Sequence, residues 1–382
     1  MIPQSSKTAI VSVTNDLTTD QRVDRTCNTL VKAGYEVVLV GRRVRNSKVL
    51  SPRSYRTHRL RLLFDKGILF YAEYNISLFF FLLFRPYDLL VSNDLDTLPA
   101  CCMANLVKHP FTRRPHLHDC HEYFRGVPEL VGRKRVTKAW KWLEDRFFPH
   151  LRNVVAVNRS VADLYSAEYG NTIAVVRNVP YRKTMEGAFD KTKLNIGRQQ
   201  KVILYQGAVN VDRGLEEAIL AMKYLETDAV LVIAGIGDIS VALAALAASN
   251  GLTEKVCFTG QIPFGELHSY TLMADLGLSI EKDVSINYHF CLPNKFLDYI
   301  QANVPVLVSP LPEMKLIVDR YRIGEFIENH DPATLAAKMD SMLGNAANLA
   351  LYKQNLAVAA AELCWENEEI ILIKTIEMTS DE

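Results

Sequence analysis

The sequence has no Cys-x-x-Cys pair, no internal repeat of solenoid length and no low-complexity tract. These absences argue against a redox or zinc motif of that type, a repeat array and a disordered scaffold. A one-signed charge is also missing, because 382 residues carry a formal net charge of +1. No global field therefore calls for nucleic acid as a partner. Cysteine is sparse and odd in number, seven in all with Cys101 and Cys102 adjacent. That is no disulfide framework, and reduced thiols in the cytoplasm are the expectation. Residues 1–7 lack the apolar core of a signal peptide. The most apolar stretch, residues 68–84, contains Glu73 and Asn75, and its uninterrupted part is too short to span a bilayer. It reads as a buried or interfacial helix.

What is present is an alternation of apolar strands and amphipathic helices in a chain that is 49% hydrophobic, enough for two cores. Residues 8–13 form a continuous apolar run, as in a strand covered on both faces. A loop rich in capping residues follows, then a helix over 21–32 that stops at Gly34. Further strands are predicted at 36–40, 89–92, 116–118 and 154–157. A polar stretch, 183–201, reads as a linker. The alternation then restarts with strands at 201–205, 230–234, 256–258, 276–279 and 304–308. This predicts two consecutive doubly wound α/β domains, 1–182 and 183–356, with a closing helix from 357 returning to the first domain. Ligands of such sheets bind beyond the carboxyl ends of the strands, so a ligand is expected in a cleft between the two domains.

Five segments carry candidate chemistry. In Leu292-Pro293-Asn294-Lys295-Phe296-Leu297-Asp298-Tyr299 a helix starts after a proline. Its free N–H groups and Lys295 make an anion site, and Asp298 can accept from sugar hydroxyls. An ordinary amphipathic helix with a polar face is the alternative. Tyr205-Gln-Gly207-Ala-Val-Asn210-Val-Asp-Arg213-Gly214 leaves a strand and turns into a helix. Ala234-Gly235-Ile-Gly237-Asp238 follows another strand, but Ser240 replaces the third glycine of a dinucleotide fingerprint, and NAD binding is rejected. Pro115-His-Leu-His-Asp119-Cys-His121-Glu122 invites a metal reading, yet His116 and His118 alternate along a strand, and a strand end aimed at a ligand explains them better. In Asn15-Asp-Leu-Thr-Thr-Asp-Gln-Arg22, contact with acceptor or phosphate by Asn15 and Arg22 competes with helix capping by Asp16 or Thr19.

In order and spacing these segments resemble glycosyltransferase family 4, enzymes of the GT-B fold. The resemblance runs over residues 8–378 and implies retaining transfer from a nucleoside-diphosphate sugar to a glycan or lipid-linked acceptor, as in bacterial surface-polysaccharide assembly. It implies no cofactor and no metal. It assigns catalysis to His121, Arg213 and Lys295, and donor binding to Gly207, Asn210, Gly235, Gly237, Ile262, Pro293, Asn294 and Asp298. Asn15, Arg22, Asp119 and Glu122 fall on the acceptor or phosphate side. Two positions depart from the family: Ala208 stands where a phosphate-holding cation is usual, and Phe290 where a carboxylate is usual. A GT-B nucleotide-sugar epimerase and a catalytically silent nucleotide-sugar-binding protein remain as alternatives.

Residues 42–61 carry eight Arg and Lys with no acid. In 133–147, Lys134, Lys138 and Lys141 run beside an apolar stripe of Val136, Trp140, Leu143 and Phe147. Both suit peripheral contact with an anionic membrane, such as the inner face of the plasma membrane. Solvated edges are the alternative.

Overall fold

The computed structural model describes residues 7–112, 114–127, 130 and 132–380, with residues 379 and 380 described by their backbone alone. The readings made over residues 1–6 and 381–382 lie outside them. The first sheet contains β1 (Lys7–Ser12), β2 (Tyr35–Arg43), β3 (Arg56–Arg61), β4 (Leu89–Asn93), β5 (His116–Cys120), β6 (Asn153–Ala156) and β7 (Ile173–Val175), in the order β3-β2-β1-β4-β5-β6-β7. The second contains β8 (Lys201–Gln206), β9 (Ala229–Ala234), β10 (Val256–Gly260), β11 (Leu276–Ser279), β12 (Val306–Val308) and β13 (Gly324–Phe326), in the order β10-β9-β8-β11-β12-β13. Every strand pair is parallel. The continuous apolar runs are the central strands: Ala9, Ile10 and Val11 of β1 and Val202, Ile203 and Leu204 of β8 are all buried.

Each sheet reverses its order beside its first strand, between β1 and β4 and between β8 and β11. In doubly wound sheets that is where ligands bind, beyond the carboxyl ends. The residues just after β1, β4, β5, β8 and β11 therefore border the crevices where a ligand is expected.

The chain divides into two compact units, one comprising Met1–Asn178 with Asn367–Glu382 and the other Val179–Glu366. The sequence reading placed these divisions after 182 and at 357. Packing explains the difference. Val179 and Ile196 are buried in the same cluster as Phe296 and Leu356, so the supposed linker belongs to the second core. Phe189 stacks on Tyr270 with centroids 4.1 Å apart. The expected closing helix is also two helices, Ala346–Glu362 and Trp365–Ser380, broken at Leu363 and Cys364. The later one is fastened to the first unit: Glu368 accepts from Arg177 N (2.8 Å) and Nε (2.7 Å), and Glu369 pairs with Lys32 at 2.9 Å.

The apolar stretch forms the helix Gly67–Leu83, which buries Phe70, Tyr74, Leu78 and Leu82, one turn apart. Its other face leaves Ile68, Leu69, Ile76 and Phe80 exposed. No helix among the described residues is long and apolar enough to cross a membrane.

Candidate active site

In the first unit, side chains gather beyond the ends of β4 and β5. His121 lies between two carboxylates: its Nδ1 is 3.5 Å from Asp94 Oδ2 and its Nε2 is 3.5 Å from Asp119 Oδ2. Nε2 also donates to Asn93 Oδ1 at 3.0 Å, and the His121 backbone N donates to Asp94 Oδ1 at 2.9 Å. Burial alone would lower the imidazole pKa, but Asp94 and Asp119 outweigh it and raise it to about 9. His121 is therefore an imidazolium at neutral pH, a hydrogen-bond donor and a cation. Asp96 is raised as well, but toward its neutral form. Burial, with Asp94 nearby, raises it to about 7, even though Thr14 Oγ1 donates to its Oδ2 at 2.6 Å.

Arg22, expected to contact acceptor or phosphate, is already engaged within the unit. It is buried, and its Nη2 meets Asp119 Oδ1 at 2.6 Å while Nη1 donates to Val176 O at 2.7 Å. Burial would raise the Asp119 pKa, but Arg22 and His121 hold it well below the usual range. Asp119 is thus a permanent anion anchoring two cations. Asn15 shapes its loop, donating to Asp20 Oδ2 at 2.8 Å and accepting from Leu17 N at 2.9 Å. The helix Gln21–Lys32 is capped by Asp20, which accepts from Val23 N, and not by Asp16 or Thr19. Asp16 instead accepts from Thr18 N within the loop. His116 and His118 both turn to Ser92 Oγ, at 2.8 and 2.9 Å. Burial pushes their pKa values down to about 4 and about 3, so both are neutral. Glu122 is exposed.

In the second unit the loop after β8 and the loop after β9 interlock. Gly207 N donates to Ala234 O at 2.9 Å, Val209 N to Ile236 O at 3.1 Å, and Asp238 N to Asn210 Oδ1 at 3.2 Å. A Cβ on Gly235 would lie 1.8 Å from Gly207 O, and one on Gly237 2.3 Å from Asn210 Oδ1. Only glycine permits this approach. Gly214, at φ +73°, caps the helix Leu215–Ala221.

The two expected donor cations meet at one carboxylate that the sequence reading did not single out. Glu281, two residues beyond β11, is fully buried. Its Oε1 pairs with Lys295 Nζ and lies 3.6 Å from Arg213 Nη1, while Ser279 Oγ donates to its Oε2 at 2.9 Å. Burial would raise the Glu281 pKa, but Lys295 and Arg213 lower it. Lys295, expected beside the anion-binding helix start, is itself buried, its ammonium 4.7 Å from the Tyr205 ring centroid. The Arg213 guanidinium stacks over Tyr288 at 4.8 Å. The cluster keeps one net positive charge beside the start of the helix Asn294–Gln301, whose N-cap is Pro293 and whose first residue Asn294 is exposed. Asp298 is engaged by Lys183 Nζ (2.9 Å) and Gln206 Nε2 (3.1 Å). Ile262 packs on the core.

Asp94, Asp96 and Glu281 share one sequence signal: each is an acid one to three residues past the carboxyl end of a central strand.

The basic segments are less free than their composition suggests. Arg56 pairs with Glu36 at 2.6 Å, Arg59 donates to Lys48 O at 2.8 Å, and Arg42 lies over Phe70 at 4.3 Å. Residues 56–61 are the edge strand β3. Three residues of the 133–147 stripe face inward: Trp140 packs edge-on against Tyr71 (5.0 Å) and Phe124 (4.9 Å), and Leu143 and Phe147 join the same core, whereas Val136 is exposed. A core contact explains Trp140, Leu143 and Phe147.

Two parallel doubly wound sheets, each with charged residues gathered past its switch point, are the architecture of the GT-B fold. The family comparisons agree in both halves: the model described as Glycosyltransferase Family 4 matches residues 20–179, and that of Glycosyl transferases group 1 matches 188–357. The chain belongs to glycosyltransferase family 4. Among solved structures it is similar to sucrose-phosphate synthase from Thermosynechococcus elongatus (15% identity, 97% of this chain and 98% of that one, TM-score 0.78). It is also similar to Anabaena HepE in complex with UDP (12%, 97% and 100%, 0.73) and to WaaG, a glycosyltransferase involved in lipopolysaccharide biosynthesis (15%, 95% and 99%, 0.70). These are likenesses of fold. No curated protein matches the sequence.

Proposed function

We propose that this glycosyltransferase takes its sugar from a nucleoside-diphosphate sugar and transfers it, with retention of anomeric configuration, to a glycan or lipid-linked acceptor in surface-polysaccharide assembly. The observation that carries the reading is the sharing of Glu281 by Arg213 and Lys295 beyond the switch point of the second sheet. A diphosphate meeting this cluster gains two cations and the N–H groups of the helix Asn294–Gln301. Lys295 supplies the charge that Ala208 cannot. Gly207, Gly235 and Gly237 let backbone approach the donor, and Asp298 takes the ribose in exchange for part of its present bonding. His121 serves the transferred sugar as an imidazolium donor, held by Asp94 and Asp119. No protein nucleophile enters, and the acceptor reacts on the face the leaving group vacates.

The fold similarity to a protein solved with UDP, and to one of lipopolysaccharide biosynthesis, supports this donor and setting. Peripheral membrane contact is part of the proposal. The exposed Arg43, Arg45 and Lys48 of the 42–61 segment supply charge, as do Lys134 and Lys138 of 133–147. The outer face of the helix Gly67–Leu83 supplies apolar surface.

The test is transfer from a panel of nucleoside-diphosphate sugars with and without glycan and lipid-linked acceptors, the product anomer being read by NMR. Acceptor-dependent transfer with the donor's configuration is expected. Inversion, or donor epimerisation without an acceptor, would overturn it.

A further inference from the structure

β5 and β6 begin at His116 and Asn153, and both residues line a cavity of about 840 Å³. It lies at the amino ends of these strands, the opposite end of the sheet from Asp94, Asp119 and His121. That size falls in the range of about 300–1,000 Å³ common for small-molecule sites. Its lining includes Arg114, Arg146 and Arg152 together with His116 and His150, and among the described residues no carboxylate. Arg114 has one acid near it, Asp88, at 3.7 Å in a half-exposed pair. Arg146 and His150 are exposed. The remaining wall is apolar. Phe111 is 96% exposed, Met103 42% and Leu106 40%, and Phe147 lies beside them. Apolar area left in water beside guanidinium groups that line the same cavity suits a ligand with a hydrocarbon part and an anionic part.

We propose that this cavity binds a phosphate-bearing amphiphile. The guanidinium groups take the phosphate, whose oxygens match their planar fork, and Phe111, Leu106 and Met103 take the hydrocarbon. Carboxylate ligands fit the fork equally, but a phosphate can engage several of the arginines at once. The ligand is either the headgroup end of an anionic membrane lipid or a soluble alkyl phosphate. The site stands apart from sugar transfer, and its test draws on no turnover.

The full chain is titrated calorimetrically with decyl phosphate below its micelle concentration and with inorganic phosphate. Decyl phosphate should bind at least about tenfold more tightly than inorganic phosphate. Arg146→Glu should weaken decyl phosphate by about tenfold or more, and Phe111→Ser should erase its advantage over inorganic phosphate while leaving the latter's affinity unchanged. Both positions are exposed, so unchanged melting temperatures check the fold. Flotation with vesicles of phosphatidylglycerol and phosphatidylcholine in equal parts separates the sources. Capture of the wild type but not of Arg146→Glu identifies a membrane lipid, whereas decyl phosphate binding without capture identifies a soluble ligand. No saturable binding of decyl phosphate, or binding unchanged in Arg146→Glu, overturns the proposal.

Discussion

Glu281 and Lys295 form an ion pair inside the second unit, and Arg213 reaches the same carboxylate oxygen from 3.6 Å. A fully buried carboxylate is costly unless its charge is matched. Here both matching cations are the ones proposed to receive the donor's diphosphate. Glu281 fixes their positions before any ligand arrives, and so spares the ligand part of the ordering cost.

Lys295→Met should therefore destabilise the protein strongly. It leaves Glu281 buried with only the longer contact to Arg213, and the expected loss is about 3 kcal/mol in urea denaturation. Lys295→Met combined with Glu281→Gln should recover most of that loss. Equal losses in the single and double variants would show that the unpaired charge is not the cause.

A parallel case is Arg22, which is buried against Asp119. Arg22→Ala strands that carboxylate and should cost about 3–5 kcal/mol. Arg22→Lys should rescue little, because an ammonium cannot bond Asp119 and Val176 O together. Full stability of Arg22→Lys by thermal melting would contradict this.

His121 gives a pH signature. Its folded pKa of about 9 stands above the ordinary value of 6.5. A raised pKa means the folded state binds the proton more tightly. The stability it contributes is fully present below pH about 6.5 and is lost as pH rises through about 9. The wild type should lose on the order of 2–3 kcal/mol relative to His121→Gln across that window. Parallel stability curves for the two proteins from pH 6 to 10, scales fixed by the assay, would rule out the charged state assigned here. Transfer activity should fall over the same upper limb.

The glycine contacts predict a local defect. Gly235→Ala puts a Cβ 1.8 Å from Gly207 O, so the two loops must part. Binding of the cognate nucleoside diphosphate should weaken by about tenfold or more, a change of roughly 1.4 kcal/mol or above. Calorimetric titration reads this directly, and wild-type affinity in Gly235→Ala would show that the interlock does not shape the donor site.

The strands that the sequence made legible are mostly central ones, with the edge strand β10 among them. β1, β8 and β9 are covered on both faces, so nearly every residue is apolar. The strands it hid are edges or close to them: β3 buries Leu60 alone, and β7 and β13 have three residues each. A strand with one neighbour has little burial to write into its sequence. The linker was hidden for a related reason, because a polar stretch anchored by Val179, Phe189 and Ile196 shows too few apolar residues to announce a core. At the site, Arg213, Lys295 and His121 were legible from motif order. Their partners were not. Glu281 is 68 residues from Arg213, and Asp94 is 27 from His121. Which acid meets which cation is set by sheet order, and that is known only once β11 lies beside β8 and β4 beside β5.

The most direct measurement is the melting shift given by a panel of nucleoside diphosphates, compared between the wild type and Arg213→Ala. Ligand at about 100 times its dissociation constant stabilises by about 2.7 kcal/mol, well within reach of a melting experiment. The expected result is a clear rise for at least one nucleoside diphosphate in the wild type and a much smaller one in Arg213→Ala. No rise with any of them, or an equal rise in Arg213→Ala, would contradict a donor site built on the cations that Glu281 holds.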